Sequence, residues 1–427
     1  MTLEREADGA MEAQTAFLLD LARALHLAYQ PALLVEARVR RVAEAWGLQA
    51  EVFTLQSLAM TQVMAGRRPR VAFARLPFNP HWNLGRAAAL LRLSDAVAEG
   101  RVLLPEARAE LDRIESSPPA YPEWLVFLAY GVYGAAVAAR VGGAWLEMGV
   151  AFFVGVVAGL IHFGTLRSQR MDLQKSFLAA FLGTLVAFGF TFILPRFDAV
   201  RALFGGATLL VPAMVVTLGS LELATESVEA GLPRLAYGLL RFLMLGVGIA
   251  AAGTLWSFAW PLPPPAAAQA LPPLLTFLLV AIGGVALSVC MSGRPRDVGW
   301  IVGAVLLAYG TQAMAKALLG DRGSPLLAAF VLGVVGLLYG RRKDRMPMTL
   351  IMPGLLQLAP GFVGTQAIVA LLGVTSAGAS DARLFNVLLV ALQLVLGLVF
   401  ATVVVPPRLS VDREPRRPSG TGAARGG

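Results

Sequence analysis

Apolar positions recur at helical spacing through residues 11–47: Phe17, Leu18, Leu21 and Leu25, then Val35, Val39 and Val42. That period predicts one or two amphipathic helices, broken at Pro31 and ended at Gly47. The period then shortens. Residues 49–56 alternate, 60–64 are mixed and 70–76 end in VAFARL, which predicts two or three short strands. Helical spacing returns over 84–99, after the turn Pro77-Phe78-Asn79-Pro80, with Asn83 or His81 as N-terminal support. A further short helix over 104–114 carries Pro105 in its first turn, where proline fits. The stretch SSPPAYP at 116–122 reads as a stiff linker. Residues 1–117 are thus expected to form a small α/β domain.

From Trp124 onward the apolar runs come at membrane length, about twenty residues each. Ten are read: 124–139, 145–163, 177–194, 203–221, 235–258, 274–291, 298–319, 326–339, 348–374 and 384–405. Five precede a Pro-rich loop at 261–273 and five follow it. Two related halves of odd count, 118–260 and 274–405, must insert in opposite senses, which predicts an inverted repeat. The expected fold class is a polytopic α-helical membrane protein of ten spans, in two five-helix repeats, with a small cytoplasmic α/β domain. The tail at 406–427, basic and rich in Gly and Pro, reads as disordered.

Composition sharpens this picture. Hydrophobic residues make up 57% of the 427 and charged residues 15%, against about 25% charged in soluble domains; mean hydropathy is +0.67. The net charge of +9 rests almost wholly on arginine, since lysine stands only at 175, 316 and 343. With the N-terminus inside, the inner loops hold Arg167, Arg170, Lys175, Arg234, Arg294, Arg296, Arg341, Arg342, Lys343 and Arg345. The outer loops hold Arg140, Arg196, Arg201, Arg322 and Arg383. That bias follows the positive-inside rule and makes a nucleic-acid partner unnecessary. The first sixteen residues are acidic and lack an apolar core, so both termini are expected in the cytoplasm. Cys290 is the single cysteine, which excludes a disulfide framework and a cysteine metal site.

The chain is organised around 208–235, TLLVPAMVVTLGSLELATESVEAGLPRL. Pro212 lies well inside its apolar run, and TLLVPAMV at 208–215 is echoed by TLIMPGLL at 349–356, with Pro353 in the place of Pro212. Proline in a helix interior frees carbonyls that lipid cannot satisfy. Interrupted segments at matching places in two halves point to a transporter's substrate site. The fourth and ninth spans are therefore expected to be broken and to meet near the midplane.

This stretch resembles the threonine/serine exporter family, in its fused two-half form. Pro212, Thr217, Glu222-Leu223-Ala224-Thr225, Gly231 and Arg234-Leu235 stand where the family carries its motifs, although Ala213 replaces the usual glycine. Pro353-Gly354 and Pro360-Gly361 resemble the second membrane domain. Asn83-Leu84-Gly85-Arg86 and the segment 106–114 resemble the soluble part. The resemblance runs from about residue 18 to 405. It implies export of small polar amino acids driven by the proton gradient, with relatives proposed to move small dicarboxylates.

The candidate substrate-binding residues are Pro212, Thr217, Pro353, Gly354, Gln357, Pro360 and Gly361. The prolines would leave unwound turns for a substrate's ammonium and carboxylate, the alternative being plain kinks filled by neighbouring helices. Thr217 either bonds substrate or bonds its own helix. Gln357, one turn past Pro353, is expected to face inward. Glu222 and Glu226, four apart on one helical face, are the proton-coupling candidates; solvated boundary carboxylates are the alternative. Arg234 and Arg241 are read as anchors for inner lipid headgroups, Lys316 as snorkelling, and His162 as structural. His26 and His81 are too far apart in sequence to suggest a metal pair. Gly155 and Gly159 form a GxxxG pair for close helix packing.

No Walker A loop, HExxH, G-x-S-x-G or paired-cysteine motif occurs, so no enzyme activity, cofactor or metal is expected. The reading is an inner-membrane secondary exporter of threonine, serine or similar small polar amino acids, by proton antiport. Its partners would be that substrate, protons and the lipid bilayer, with a homo-oligomer left open. The alternatives are a dicarboxylate (succinate) exporter, a passive channel with the same bundle, and a membrane-anchored hydrolase.

Overall fold

The computed structural model describes residues 2–65, 68–76, 82–166, 174–194, 196–264, 266–267, 269–320, 323–342, 345–358 and 380–406. Its N-terminal domain opens with α1 (Thr2–Leu27) and α2 (Ala32–Ala45), which meet at Pro31 as the period predicts. The helical pattern reaches back further than residue 11, since α1 starts at Thr2. Gly47 ends the second helix with φ at 72°, a left-handed conformation that suits glycine. Three strands follow, β1 (Gln49–Thr54), β2 (Leu58–Ala65) and β3 (Arg68–Arg75), paired antiparallel in the order β1-β2-β3. Their two-residue period buries Ala50, Val52, Ala59 and Val63 beneath α1 and α2. Phe53, Met60 and Phe73 line up in register on the outer face. The helices α3 (Leu84–Ala98) and α4 (Leu104–Ser116) complete the domain. Asn83 caps α3 by accepting the Arg86 N–H at 2.8 Å, as its position before the apolar run suggests.

Eleven further helices follow among the described residues. They are α5 (Glu123–Arg140), α6 (Trp145–Leu166), α7 (Gln174–Gly189), α8 (Ala199–Ala207), α9 (Ala213–Ala224) and α10 (Val228–Ser257). After the Pro-rich loop come α11 (Pro273–Cys290), α12 (Val298–Leu319), α13 (Ser324–Gly340), α14 (Met348–Leu358) and α15 (Ser380–Val404). Five of the described helices are long and apolar enough to cross a membrane, or six spans if the bent pair α8–α9 counts as one. That is fewer than the ten runs read from hydropathy: α13, α14 and the described part of α15 are apolar but short, and α5 does not meet the same measure.

Pairwise packing repeats between the halves. The contacts α5–α6, α6–α7, α7–α8, α6–α8, α5–α8 and α7–α10 are matched by α11–α12, α12–α13, α13–α14, α12–α14, α11–α14 and α13–α15. The halves join through α5 against α11 and through α9 against α14 and α15. Small residues set the spacing: a Cβ at Gly206 on α8 would lie 2.6 Å from the Ala151 carbonyl oxygen on α6. Gly155 and Gly159 likewise seat α6 on Tyr130 and Gly131 of α5, so the GxxxG pair packs within the chain. Leu128, Phe153, Leu160, Leu239, Leu243, Leu278 and Ile282 stay exposed on the outside of the bundle, as lipid-facing positions do.

The N-terminal domain is docked on this bundle. The first free amides of α3 donate outward, Leu84 N–H to the Met291 carbonyl at 2.9 Å and Gly85 N–H to Ser292 at 3.1 Å. Tyr121 Oη donates to the Gly293 carbonyl at 2.9 Å. One continuous apolar core runs from Phe17 and Leu21 in the domain through Met291 to Leu287 and Leu332 in the helices.

Candidate functional site

The organising stretch folds into a break. α8 runs into a 3-10 turn over Thr208–Leu210, Val211 is extended (φ −66°, ψ 124°), and Pro212 caps α9. The two helical pieces are bent by 52°. This is the interruption that a proline inside an apolar run predicts. Everything from Ala213 to Ser220 is buried in the bundle, including Thr217 and Ser220. The Thr217 hydroxyl donates to the Ala213 carbonyl at 3.0 Å, so its proton serves its own helix.

The second half differs. Pro353 lies inside a continuous α14 instead of breaking it. Its missing N–H costs the helix the bond to the Thr349 carbonyl, and the helix continues past it to Leu358. Gly354 is a packing position: a Cβ there would lie 2.5 Å from a Leu332 methyl on α13. Gln357 is buried, as an inward-facing residue would be. Pro360 and Gly361 lie outside the described residues. Sequence reasoning missed three further buried polar groups around the two segments: Ser220, Thr349 and the Gln393 side-chain oxygen on α15, which makes no hydrogen bond among the described residues.

At the other end of α9 the carboxylates part company. The helix stops at Ala224, so Glu222 and Glu226 do not share a helical face. The Ser227 N–H reaches back to the Glu222 carbonyl at 2.9 Å and the Glu226 N–H to Leu223 at 3.3 Å, a Schellman stop with Glu226 in the left-handed position at φ 64°. Glu226 is exposed. Glu222 is completely buried and paired with Arg234 of α10 at 3.2 Å.

That pairing depends on glycine. A Cβ at Gly231 would lie 2.7 Å from the Gly219 carbonyl oxygen and 2.8 Å from the Leu223 nitrogen. The two helices therefore touch backbone to backbone, which brings Arg234 beside Glu222. The N-terminal domain closes over both. Ala32 N–H donates to Glu222 Oε1 at 3.2 Å, and Arg234 Nε donates to Gln56 Oε1 at 2.7 Å. Glu222 Oε2 has no hydrogen-bond partner among the described residues. His26, fully buried in α1, completes the cluster. Burial pushes its imidazole down to about 3, the Arg234 guanidinium adds to this, and the Gln56 backbone opposes it.

Other basic residues also sit deeper than expected. Arg234 and Arg241 are buried rather than anchored among headgroups, and Arg241 Nε donates to Ser176 Oγ at 3.0 Å. Lys175, counted as an inner-loop charge, is buried in the first turn of α7. His162 stacks on Tyr130 with ring centroids 5.8 Å apart. Asp297 is buried at the same end of the bundle, paired with Arg294 at 2.6 Å and Arg345 at 3.4 Å. No cluster of metal-ligating side chains occurs among the described residues.

A family model described as "Putative threonine/serine exporter" matches residues 16–256, which is more than half of the chain and takes in most of the domain, the break and the cluster. The chain is similar to pheromone-regulated membrane protein 10 of Saccharomyces cerevisiae, 27% identical over 278 residues, 61% of this chain and 70% of that protein. The proteins of the same name from Kluyveromyces lactis and Candida albicans are each 24% identical, over 70% and 67% of this chain. The chain spans 32% and 27% of those two relatives. No solved structure matches it.

Proposed function

The chain belongs to the threonine/serine exporter family, and from that premise we propose that it is a secondary exporter of threonine, serine or similarly small polar amino acids. It sits in the cell's inner membrane with both termini in the cytoplasm, has no enzymatic role, and moves its substrate in exchange for protons. The single observation that carries this reading is the buried 52° break at Pro212, placed where α9 of the first half meets α14 and α15 of the second. A half-helix starting inside a bundle presents free first-turn amides, which suit a carboxylate. Thr217, Ser220, Thr349 and Gln357 supply buried polar groups on the two meeting segments. Pro212, Pro353 and Gly354 shape the backbone around them.

The ten-span, inverted-repeat arrangement is part of the same proposal, and the matched packing of the two halves supports it. The bundle would rock one half against the other about the α9–α14 contact. Glu222 is the proposed proton carrier, because it is the buried carboxylate on the half-helix and keeps one oxygen without a hydrogen bond. Glu226, exposed and off the helix, has no part in it.

Counterflow in proteoliposomes tests the proposal. Vesicles loaded with unlabelled threonine should accumulate labelled threonine, with serine competing. Competition by succinate alone would move the assignment to dicarboxylates. In Glu222→Gln, uphill export driven by a pH gradient should be lost while downhill exchange persists. Unchanged uphill export would remove Glu222 from coupling, and uphill export failing in both proteins would favour a passive facilitator.

A further inference from the structure

The N-terminal domain holds both halves of the bundle at once. On one side Ala32 and Gln56 bind Glu222 of α9 and Arg234 of α10. On the other, the amides of Leu84 and Gly85 bind the carbonyls of Met291 and Ser292, in the turn that joins α11 to α12. Any motion of one half against the other must strain or break one of these contacts. The α3 contact is backbone to backbone at a helix N-terminus, with Gly85 packed closely: a Cβ would lie 3.0 Å from the Ser292 oxygen. On the membrane side the α9 contact is made by the side chains of Glu222 and Arg234, which can leave Ala32 and Gln56 by rotamer changes.

We propose that the N-terminal domain is a latch, which in its docked position holds the half-helix α9 still and must release Glu222 and Arg234 before that half-helix can swing. The inference rests on the proposed transport function, in which one half of the bundle, α9 included, moves against the other. Three structural facts carry it. α9 is twelve residues long, freed from α8 by the break at Pro212 and fixed at its far end by Glu222. The Glu222–Arg234 pair has 0% and 3% of its side-chain surface exposed. A pair so dry has no weakened intermediate, since partial opening leaves a buried charge without its partner, so the contact is either made or lost. Each member of the pair also spends a bond on the domain, which ties the state of α9 to the state of the domain.

Gln56→Leu tests this from the domain side, since it removes the acceptor for Arg234 and leaves every membrane residue in place. Ala32→Pro is the second variant. It deletes only the N–H that Glu222 accepts, at a first-turn position where proline fits, and Pro31 already has the extended ψ of 145° that a residue before proline needs. Hydrogen exchange over residues 218–227 and counterflow are both measured in vesicles. The latch predicts that exchange rises about ten-fold, the scale of one hydrogen bond to a charged group, and that counterflow speeds up several-fold. Faster exchange with unchanged or slower counterflow would overturn it, and so would exchange equal to that of the unmutated protein. The underlying transport reading fails differently: the unmutated protein would then show no counterflow with threonine, serine or succinate. In that case the exchange comparison alone still decides whether the domain holds α9.

Discussion

His26 should make the docked domain acid-sensitive in a window that can be calculated. Its imidazole is fully buried and its pKa stands at about 3, against roughly 6.5 for an exposed histidine. The shift is downward, so below pH 6.5 any open state, with His26 in water, takes up a proton that the closed state refuses. Opening is then favoured as pH falls from 6.5 towards 3, and His26 contributes nothing above that window. Between pH 7 and pH 5 the open population should rise about twenty-five-fold, which is roughly 2 kcal/mol. The charged groups nearest the cluster are Arg234, Glu222 and Glu36, and they are common to the protein and its variant. His26→Leu removes the imidazole at similar volume, so the difference between the two pH profiles isolates the histidine. The assay is hydrogen exchange over residues 17–30 and 50–60, normalised at each pH to the intrinsic rate. Parallel profiles for the two proteins would refute the reasoning, because the burial penalty would then not be felt by the docked state.

Three other changes bear on the same region. Arg234→Met alone should cost about 3–5 kcal/mol by leaving Glu222 buried without its partner, and adding Glu222→Leu should recover most of it; thermal midpoints of both in one detergent decide. Gly231→Val forces a side chain onto the Gly219 and Leu223 backbones, which should lower the midpoint on the scale of about 1–3 kcal/mol and loosen the domain, as protease cutting in the 116–122 linker would report. Glu226→Gly should raise stability by about 1 kcal/mol, because the left-handed position costs a side-chain-bearing residue roughly that much. A lower midpoint for that variant would mean the exposed carboxylate is doing something the backbone does not reveal.

The break at Pro212 was legible because proline inside a twenty-residue apolar run has few other outcomes. The alternation over 49–76 and the Asn83 cap were legible for the same local reasons. Pro353 stays inside a continuous helix, and sequence alone does not say where a helix around a proline begins. The pairing of Glu222 with Glu226 failed because an i,i+4 rule assumes that the helix continues, and α9 ends without a glycine to announce it. Arg234 and Lys175 were counted as loop charges by their place at helix ends, a test that is blind to burial. The cluster itself could not be read locally: Ala32 and Glu222 are 190 residues apart, and Gln56 and Arg234 are 178 apart. What the motif did mark was the residues on the membrane side of that cluster, Glu222, Gly231 and Arg234.

Those separations set an order on biogenesis. The N-terminal domain leaves the ribosome before the residues it docks on are made. At about 5–20 residues per second, the 190 residues between Ala32 and Glu222 take roughly 10–40 s to synthesise. During that interval Ala32 and Gln56 wait for the Glu222 and Arg234 they bind in the finished protein. The Met291–Gly293 turn comes later still. Closure of the domain is therefore a late event in assembly, able to report that helices from both halves have reached their places.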